Sequence, residues 1–428
     1  MAKRTRSKLV WLIAGALVAV VVTVIVVNLS SGGRKIGREI DHRYGIADSQ
    51  FIRSMGTLLG PSLLEGNRVQ VLLNGDEIFP AMLMAIHQAS RSITFETYIY
   101  WSGETGIAFA EALIERARAG VPVHVLLDWV GAGKMDDAVI DSMEEAGVEV
   151  RKYRPLRWYN ISRMNHRTHR KLLVVDGKIG FTGGVGIADI WTGHGQDPEH
   201  WRDTHFRLEG PAVAQMQAAF LDNWLKVQPK VLHGDDYFPP LDSAGPALAQ
   251  VFKSSFGEGS ESARLMYLLS IASAEKSIFL SNAYFVPDSL AIAALVSARK
   301  RGVRVEIIVP GKIIDSKIVR QASRGRWGPL LEAGVAIYEY QPTMYHVKVM
   351  VVDGLWSSVG STNFDNRSFA LNDEANLNVL NAAFAAEQEA IFERDKLKAR
   401  QITLDAWRNR PRIERFKEWL AGLFRAQL

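Results

Sequence analysis

The chain has 428 residues, 47% of them hydrophobic, which is enough to bury more than one core. It has no cysteine, which excludes disulfides, thiolate nucleophiles and cysteine metal sites while leaving the redox compartment open. The net charge of +5 sits at the ends: Lys3, Arg4, Arg6 and Lys8 give +4, residues 391–428 carry ten basic against five acidic side chains, and the middle is left at −4, a pattern that disfavours a nucleic-acid groove and suits ends that touch anionic lipid.

After the basic arm at residues 1–8, residues 9–27 read LVWLIAGALVAVVVTVIVV without a charge, the length of a membrane-spanning helix and longer than a secretory signal core. The basic arm favours an amino terminus inside and the bulk of the protein outside the cytoplasm, in the cell membrane. A polar juxtamembrane segment, residues 28–65, follows.

From residue 66 the chain runs twice through one pattern. RSITFETYIY (Arg91 to Tyr100) and KSIFLSNAYF (Lys276 to Phe285) have strand character. Each is followed by an amphipathic helix turning into alternation, FAEALIERARAGVPVHVLLD and IAALVSARKRGVRVEIIV. EEAGVEV and LEAGVAI then lead to a short strand. The expected fold is α/β: two tandem units, residues 66–231 and 247–388, in a pseudo-twofold arrangement with parallel strands and helices on both faces, joined by a linker at 232–246. The tail, residues 389–428, is amphipathic, basic and helical in pattern.

Each half ends in an HxKxxxxD motif: His169, Lys171 and Asp176 in HRKLLVVD, and His346, Lys348 and Asp353 in HVKVMVVD. On a strand, residues two apart share a face, so an imidazole and an ammonium are aimed at one spot. GSTNFDNRSFALNDEANL follows the second motif and GGVGIADIW the first. Ser361 and Asn363 are candidate donors to non-bridging phosphate oxygens.

These paired motifs with a downstream G-S-x-N resemble the phospholipase D superfamily over roughly residues 66–428. LLNGDEIFPAMLMAI, AGVPVHVLLDWVG, WRDTHFRLEGPAV and NFDNRSFALNDE resemble its bacterial cardiolipin synthase group. The superfamily pattern expects asparagine where this chain has Gly186, leaving Asn363 as the single copy. The resemblance implies phosphatidyl transfer through a phosphohistidine, with His169 as nucleophile and His346 as acid and base, although their exchange fits equally well. Lys171 and Lys348 would take the charge-stabilising task that metal ions perform elsewhere, so neither metal nor other cofactor is expected. Asp203 and Glu374 are candidates for orienting the histidines. Asp176 and Asp353 complete the catalytic motifs, though their place at strand ends points to anchoring. Glu96 lies at a strand end without an assigned role, and the remaining histidines, among them His166, His194, His200 and His205, are expected mostly on the surface.

The implied substrate is phosphatidylglycerol, giving cardiolipin and glycerol. A phospholipase that passes the same intermediate to water differs only in the acceptor. A nucleic-acid phosphodiesterase is disfavoured by the acidic middle. A non-enzymatic membrane scaffold would show a decayed motif, for which Gly186 is the one hint.

Overall fold

The computed structural model describes residues 8, 11–16, 18–20, 23, 36–155, 166–255 and 261–428. The strands are β1 Leu64–Leu73, β2 Ile93–Thr97, β3 Val123–Asp128, β4 Glu149–Tyr153, β5 Leu172–Val175, β6 Ile179–Gly183, β7 Thr204–Glu209, β8 Ala247–Ser254, β9 Ser277–Asn282, β10 Arg304–Pro310, β11 Ala336–Tyr340, β12 Lys348–Val352, β13 Trp356–Gly360, β14 Glu374–Leu380 and β15 Ala399–Ile402. From residue 36 onward the helices are α1 Ser49–Leu59, α2 Asn74–His87, α3 Glu104–Arg118, α4 Asp137–Glu145, α5 Val213–Trp224, α6 Ser262–Ser273, α7 Ser289–Lys300, α8 Lys317–Arg324, α9 Gly328–Glu332, α10 Asn366–Ala370, α11 Ala382–Lys396, α12 Leu404–Arg408 and α13 Arg412–Gly422.

All these strands join one sheet, ordered β15-β11-β10-β9-β12-β13-β14-β8-β1-β7-β6-β5-β2-β3-β4. Read outward from the central β8–β1 pair, the two directions repeat each other, and β15 is an extra edge strand. The expected parallel pairing holds for β2, β3 and β4 and for β9, β10 and β11, where helices make the crossovers. It fails for the strands that follow the histidine motifs. β5 and β12 pair antiparallel on both sides, because Asp176-Gly177 and Asp353-Gly354 turn the chain straight back into β6 and β13. In both turns the aspartate has φ 55° and the glycine 63°, the two-residue geometry that suits strand twist.

Tertiary packing changes the reading of three segments. Within the segment expected to be juxtamembrane, α1 buries Phe51 and Met55 in the core of β9 and β10, and Phe51 meets the Trp356 ring edge-on at 4.9 Å. Within the expected linker, Leu232 and Tyr237 are buried against Phe220 and Trp224. The tail is not wholly helical: residues 399–402 form β15, whose backbone satisfies the open edge of β11. The described residues of the apolar segment 9–27 are helical and exposed, and no helix among the described residues is long and apolar enough to cross a membrane; the rest of that segment lies outside the described residues.

Candidate active site

His169 and His346 line one cavity of about 440 Å³, together with Lys171 and Asn363. What brings them there is an exchange between the halves. The His169 backbone N–H donates to the Asp373 carbonyl at 2.8 Å, beside a parallel bridge between Thr168 and Asp373. The His346 N–H donates to the Arg202 carbonyl at 2.8 Å, beside the equivalent bridge between Arg202 and Tyr345. Each histidine segment is thus fastened to the chain just before β14 or β7 of the opposite half.

The exchange extends to the side chains. Both carboxylate oxygens of Glu374 lie 3.0 Å from His169 Nδ1, and Asp203 Oδ2 lies 2.7 Å from His346 Nδ1. A carboxylate at Nδ1 favours the tautomer with its proton there, leaving Nε2 as the reactive nitrogen. Burial is the largest influence on both rings, holding the neutral form: His169 falls to about 4 against the pull of Glu374, and His346 is lowered by burial and by the Lys348 ammonium, with Asp203 opposing. The two carboxyls resist the same burial, and stay below their ordinary range because each faces its histidine.

Lys171 and Lys348 are buried, and each donates to the carbonyl of its own motif histidine, at 2.8 and 2.7 Å. Lys348 Nζ also lies 3.2 Å from His346 Nε2. Burial lowers Lys171 to about 7 and Lys348 to about 8, with the Lys348 charge adding to the effect on Lys171. The Glu374 and Asp203 carboxylates oppose that loss of charge on both lysines, and an anion brought into the cavity would oppose it further.

Asn363 also lines the cavity, and its Oδ1, an acceptor, is buried without a hydrogen-bond partner. Ser361 does not line it; its hydroxyl donates to Glu374 Oε2 at 2.5 Å, so the expected phosphate donor instead braces the carboxylate behind His169. Asp176 and Asp353 also stand away from the cavity. Asp176 accepts the backbone N–H groups of Ser90, Arg91 and Ser92, and Asp353 those of Glu275, Lys276 and Ser277. Their negative charge locks each hairpin to the start of its neighbouring strand, the anchoring role rather than a catalytic one.

The glycines after the first motif are explained by what surrounds them. A Cβ on Gly184 would lie 2.2 Å from Asp203 Oδ1, so a serine like Ser361 has no room there. A Cβ on Gly186 would meet Ile99 Cβ at 2.8 Å and the Trp191 ring at 3.2 Å. Trp191 is one of the neighbours that crowd this position, and its Nε1–H donates to Asp203 Oδ2 at 3.1 Å. Sequence reasoning passed over Trp191 although it lies in GGVGIADIW. It also missed the aromatic walls: Trp191 and Trp201 lie 5.6 and 5.3 Å from the His346 ring, and Tyr98 lies 5.3 Å from that of His169.

Glu96 is buried, with Asn223 donating at 2.7 Å and Thr168, the residue before His169, donating to the same oxygen; burial raises it to about 7. His205 is buried, contrary to the expectation of surface histidines, and so is His124, whereas His194 is exposed. Burial drives His205 down to about 3. Among the described residues no cluster of side chains is suited to hold a metal ion.

Residues 82–219 and 267–396 match the family model described as cardiolipin synthase, PLD-like domain. A Bacillus subtilis protein named a probable cardiolipin synthase is 35% identical over 84% of this chain and 72% of its own length. Cardiolipin synthase A of Pseudomonas fluorescens is 33% identical over 87% of this chain and 77% of its own. Among solved structures, phosphatidylserine synthase of Haemophilus influenzae superposes with a TM-score of 0.70 at 14% identity, covering 89% of this chain and 100% of the other. Polyphosphate kinase of Porphyromonas gingivalis gives 0.54 at 12%, over 87% and 53%. At such identities these two show a shared fold alone. With the paired histidine motifs in one cavity and both halves matched in sequence, the chain belongs to the cardiolipin synthase, PLD-like domain family.

Proposed function

We propose that this protein is a phosphatidyltransferase of the cardiolipin synthase type, joining two phosphatidylglycerol molecules and releasing glycerol. The observation that carries the reading is two neutral, carboxylate-braced imidazoles and a buried lysine lining one cavity, with a second ammonium against one of the rings.

In this scheme the phosphodiester anion sits against Lys171 and Lys348, which offset its charge, and the Asn363 amide N–H donates to one of its oxygens. Nε2 of His169 attacks phosphorus while the bond to the glycerol oxygen breaks, and His346 Nε2 gives that oxygen a proton. Bringing the anion in favours protonation of His346 for this step. After glycerol leaves, a hydroxyl of the second phosphatidylglycerol gives its proton to His346 and attacks phosphorus; the phosphorus–nitrogen bond breaks and cardiolipin is released. Neutral His169 supports its choice as nucleophile, and the close Lys348 ammonium supports His346 as the group that sheds its proton readily. The residues present supply charge, nucleophile and proton carrier from the chain itself.

We further infer two pseudo-twofold units at 66–231 and 247–388, a reading supported by the repeated strand order. The apolar run at 9–27 serves as a single-pass anchor, with the catalytic part outside the cytoplasm, on the strength of its length and its basic flank. The test is to incubate the full chain with phosphatidylglycerol vesicles and follow products by mass spectrometry. Cardiolipin with glycerol is expected. Phosphatidic acid instead would make it a hydrolase, and neither product would overturn the reading.

A further inference from the structure

The face of α13 that points away from the protein is made of large apolar side chains. Ile413, Phe416, Trp419, Leu420, and Leu423 and Phe424 just beyond the helix end, are each 45–61% exposed. Their spacing of three, four and seven residues places them on one stripe. The opposite face is held to the body: Glu418 accepts from Arg410 at 2.7 Å and Arg324 at 3.4 Å, and Ala421 packs with Val286, Val319 and Ala322. The helix is therefore fixed in place by one side while the other offers six large apolar groups to water, more than scattered surface exposure accounts for.

Beside this stripe lies a cavity of about 340 Å³ lined by Arg326, Arg410, Arg415 and Arg425, with Glu418 the single acid and Trp419 and Leu423 forming an apolar side. Glu418 is already matched by Arg324 and Arg410. Burial and the nearby Arg425 charge lower the Arg326 guanidinium below its ordinary value, as expected where positive charge is in excess. Apolar groups bordered by unbalanced arginines fit the boundary of a bilayer, where acyl chains take the first and anionic headgroups the second.

The position of α13 adds the link to the reaction. Val319 of α8 packs beside Ala421 and also lines the catalytic cavity, as do Gln427 and Leu428, and Arg367 Nε donates to the Gln427 carbonyl at 3.0 Å. The apolar stripe and the cavity mouth are thus joined by α8 and the segment after α13. We propose that α13, with its arginine pocket, is a second membrane contact, independent of the amino-terminal segment, that seats the cavity mouth on the headgroup layer of a bilayer containing anionic phospholipid. The choice of a phospholipid surface rests on the function proposed above; the contact itself does not require turnover.

The chain has no cysteine, so a single introduced cysteine takes the label alone. Trp419→Cys and Leu423→Cys, each carrying an environment-sensitive fluorophore in the full chain, would be reconstituted into vesicles of phosphatidylglycerol and phosphatidylcholine that include a nitroxide lipid. Quenching about threefold or more above that of a label at exposed Met84→Cys is expected, together with a blue shift. Arg415→Glu with Arg425→Glu should remove most of the difference. Quenching equal to the Met84 reference, or unchanged after charge reversal, would overturn the proposal. So would shielding that appears in lipid-free detergent and grows with protein concentration, which would assign the stripe to a second copy. Hydrogen exchange of residues 412–422 with and without vesicles repeats the test on the unsubstituted chain. Strong quenching in a protein that makes neither cardiolipin nor phosphatidic acid would sink the proposed reaction and leave the membrane contact standing.

Discussion

The two histidine sites are built from one plan and finished differently. Behind His169 stands a glutamate braced by the hydroxyls of Ser361 and Ser368; behind His346 stands a shorter aspartate braced by the Trp191 indole and the Thr204 backbone N–H. The lysines differ too, since Lys348 reaches Nε2 of its own ring whereas Lys171 donates to the His169 carbonyl and lies over the Tyr98 ring at 5.6 Å. The residue between histidine and lysine differs most. Arg170 is fully buried and donates to the Ala219 carbonyl, Asp222 and Ser255, whereas the Val347 side chain packs in the shared apolar core. Removing the partners of such a buried charge costs about 3–5 kcal/mol, so the His169 side is the more rigidly anchored. A repeated fold can supply two imidazoles in like positions, and the surroundings can then divide the labour: a fixed nucleophile on one side and a proton carrier next to a cation on the other.

The strongest test of that division removes the rings. His169→Ala should abolish turnover, while His346→Ala should lower it about 10²–10⁴-fold, the range of general acid–base catalysis. With a phosphodiester bearing a nitrophenolate leaving group, which needs no proton, His346→Ala should still release nitrophenolate in a single burst and His169→Ala should not. The opposite pattern would exchange the two roles.

A smaller effect is expected from the carboxylates. Glu374→Gln and Asp203→Asn keep the shape but lose the charge that favours Nδ1–H, and kcat should drop about 10²-fold with KM nearly unchanged. A change in KM alone would show that these groups hold substrate and not the rings. The pH profile comes next. Lys171 near 7 and Lys348 near 8 are charged below those values and lose charge above them, so kcat/KM should fall by up to about tenfold per unit above pH 7 and more steeply, up to about a hundredfold per unit, above pH 8. On the acid side the neutral His169 ring is lost only as pH approaches 4, so activity should persist at pH 6. An alkaline limb absent up to pH 10 would mean that the lysines keep their ordinary affinity for protons. The least effect is expected from the bracing donors: Ser361→Ala and Trp191→Phe each remove one hydrogen bond to a carboxylate that keeps another donor, and should slow turnover by no more than about tenfold. An effect in Trp191→Phe as large as in Asp203→Asn would show that the indole does more than brace.

The histidine and lysine pairs were legible because their signal is local. A strand puts alternate residues on one face, and seeing the pattern twice leaves little room for accident. The hairpin turns are also written plainly, as Asp-Gly between apolar runs, although the motif groups the same aspartates with the histidine and lysine. Asp203 and Glu374 were found by their matching places after each motif, but nothing in those places says that each serves the other half's histidine, 143 and 205 residues away. Helix α1 and strand β15 escaped notice for a related reason, since one is stabilised by Trp356 and the other by the free edge of β11.

By itself, the sequence determined the chemistry available: two imidazoles, two ammonium groups, no thiol, and a repeat that folds twice into strands and helices. Spacing along a chain carries that much, because the periods of strand and helix are properties of the backbone. Which carboxylate faces which ring was decided only when β8 met β1 and closed the halves into one sheet, and which glycine has no room for a side chain and which hydroxyl is turned away from the cavity were decided by the packing within each half. Those relations depend on distances between segments far apart in the chain, and they are fixed by the burial and hydrogen bonding of the whole molecule.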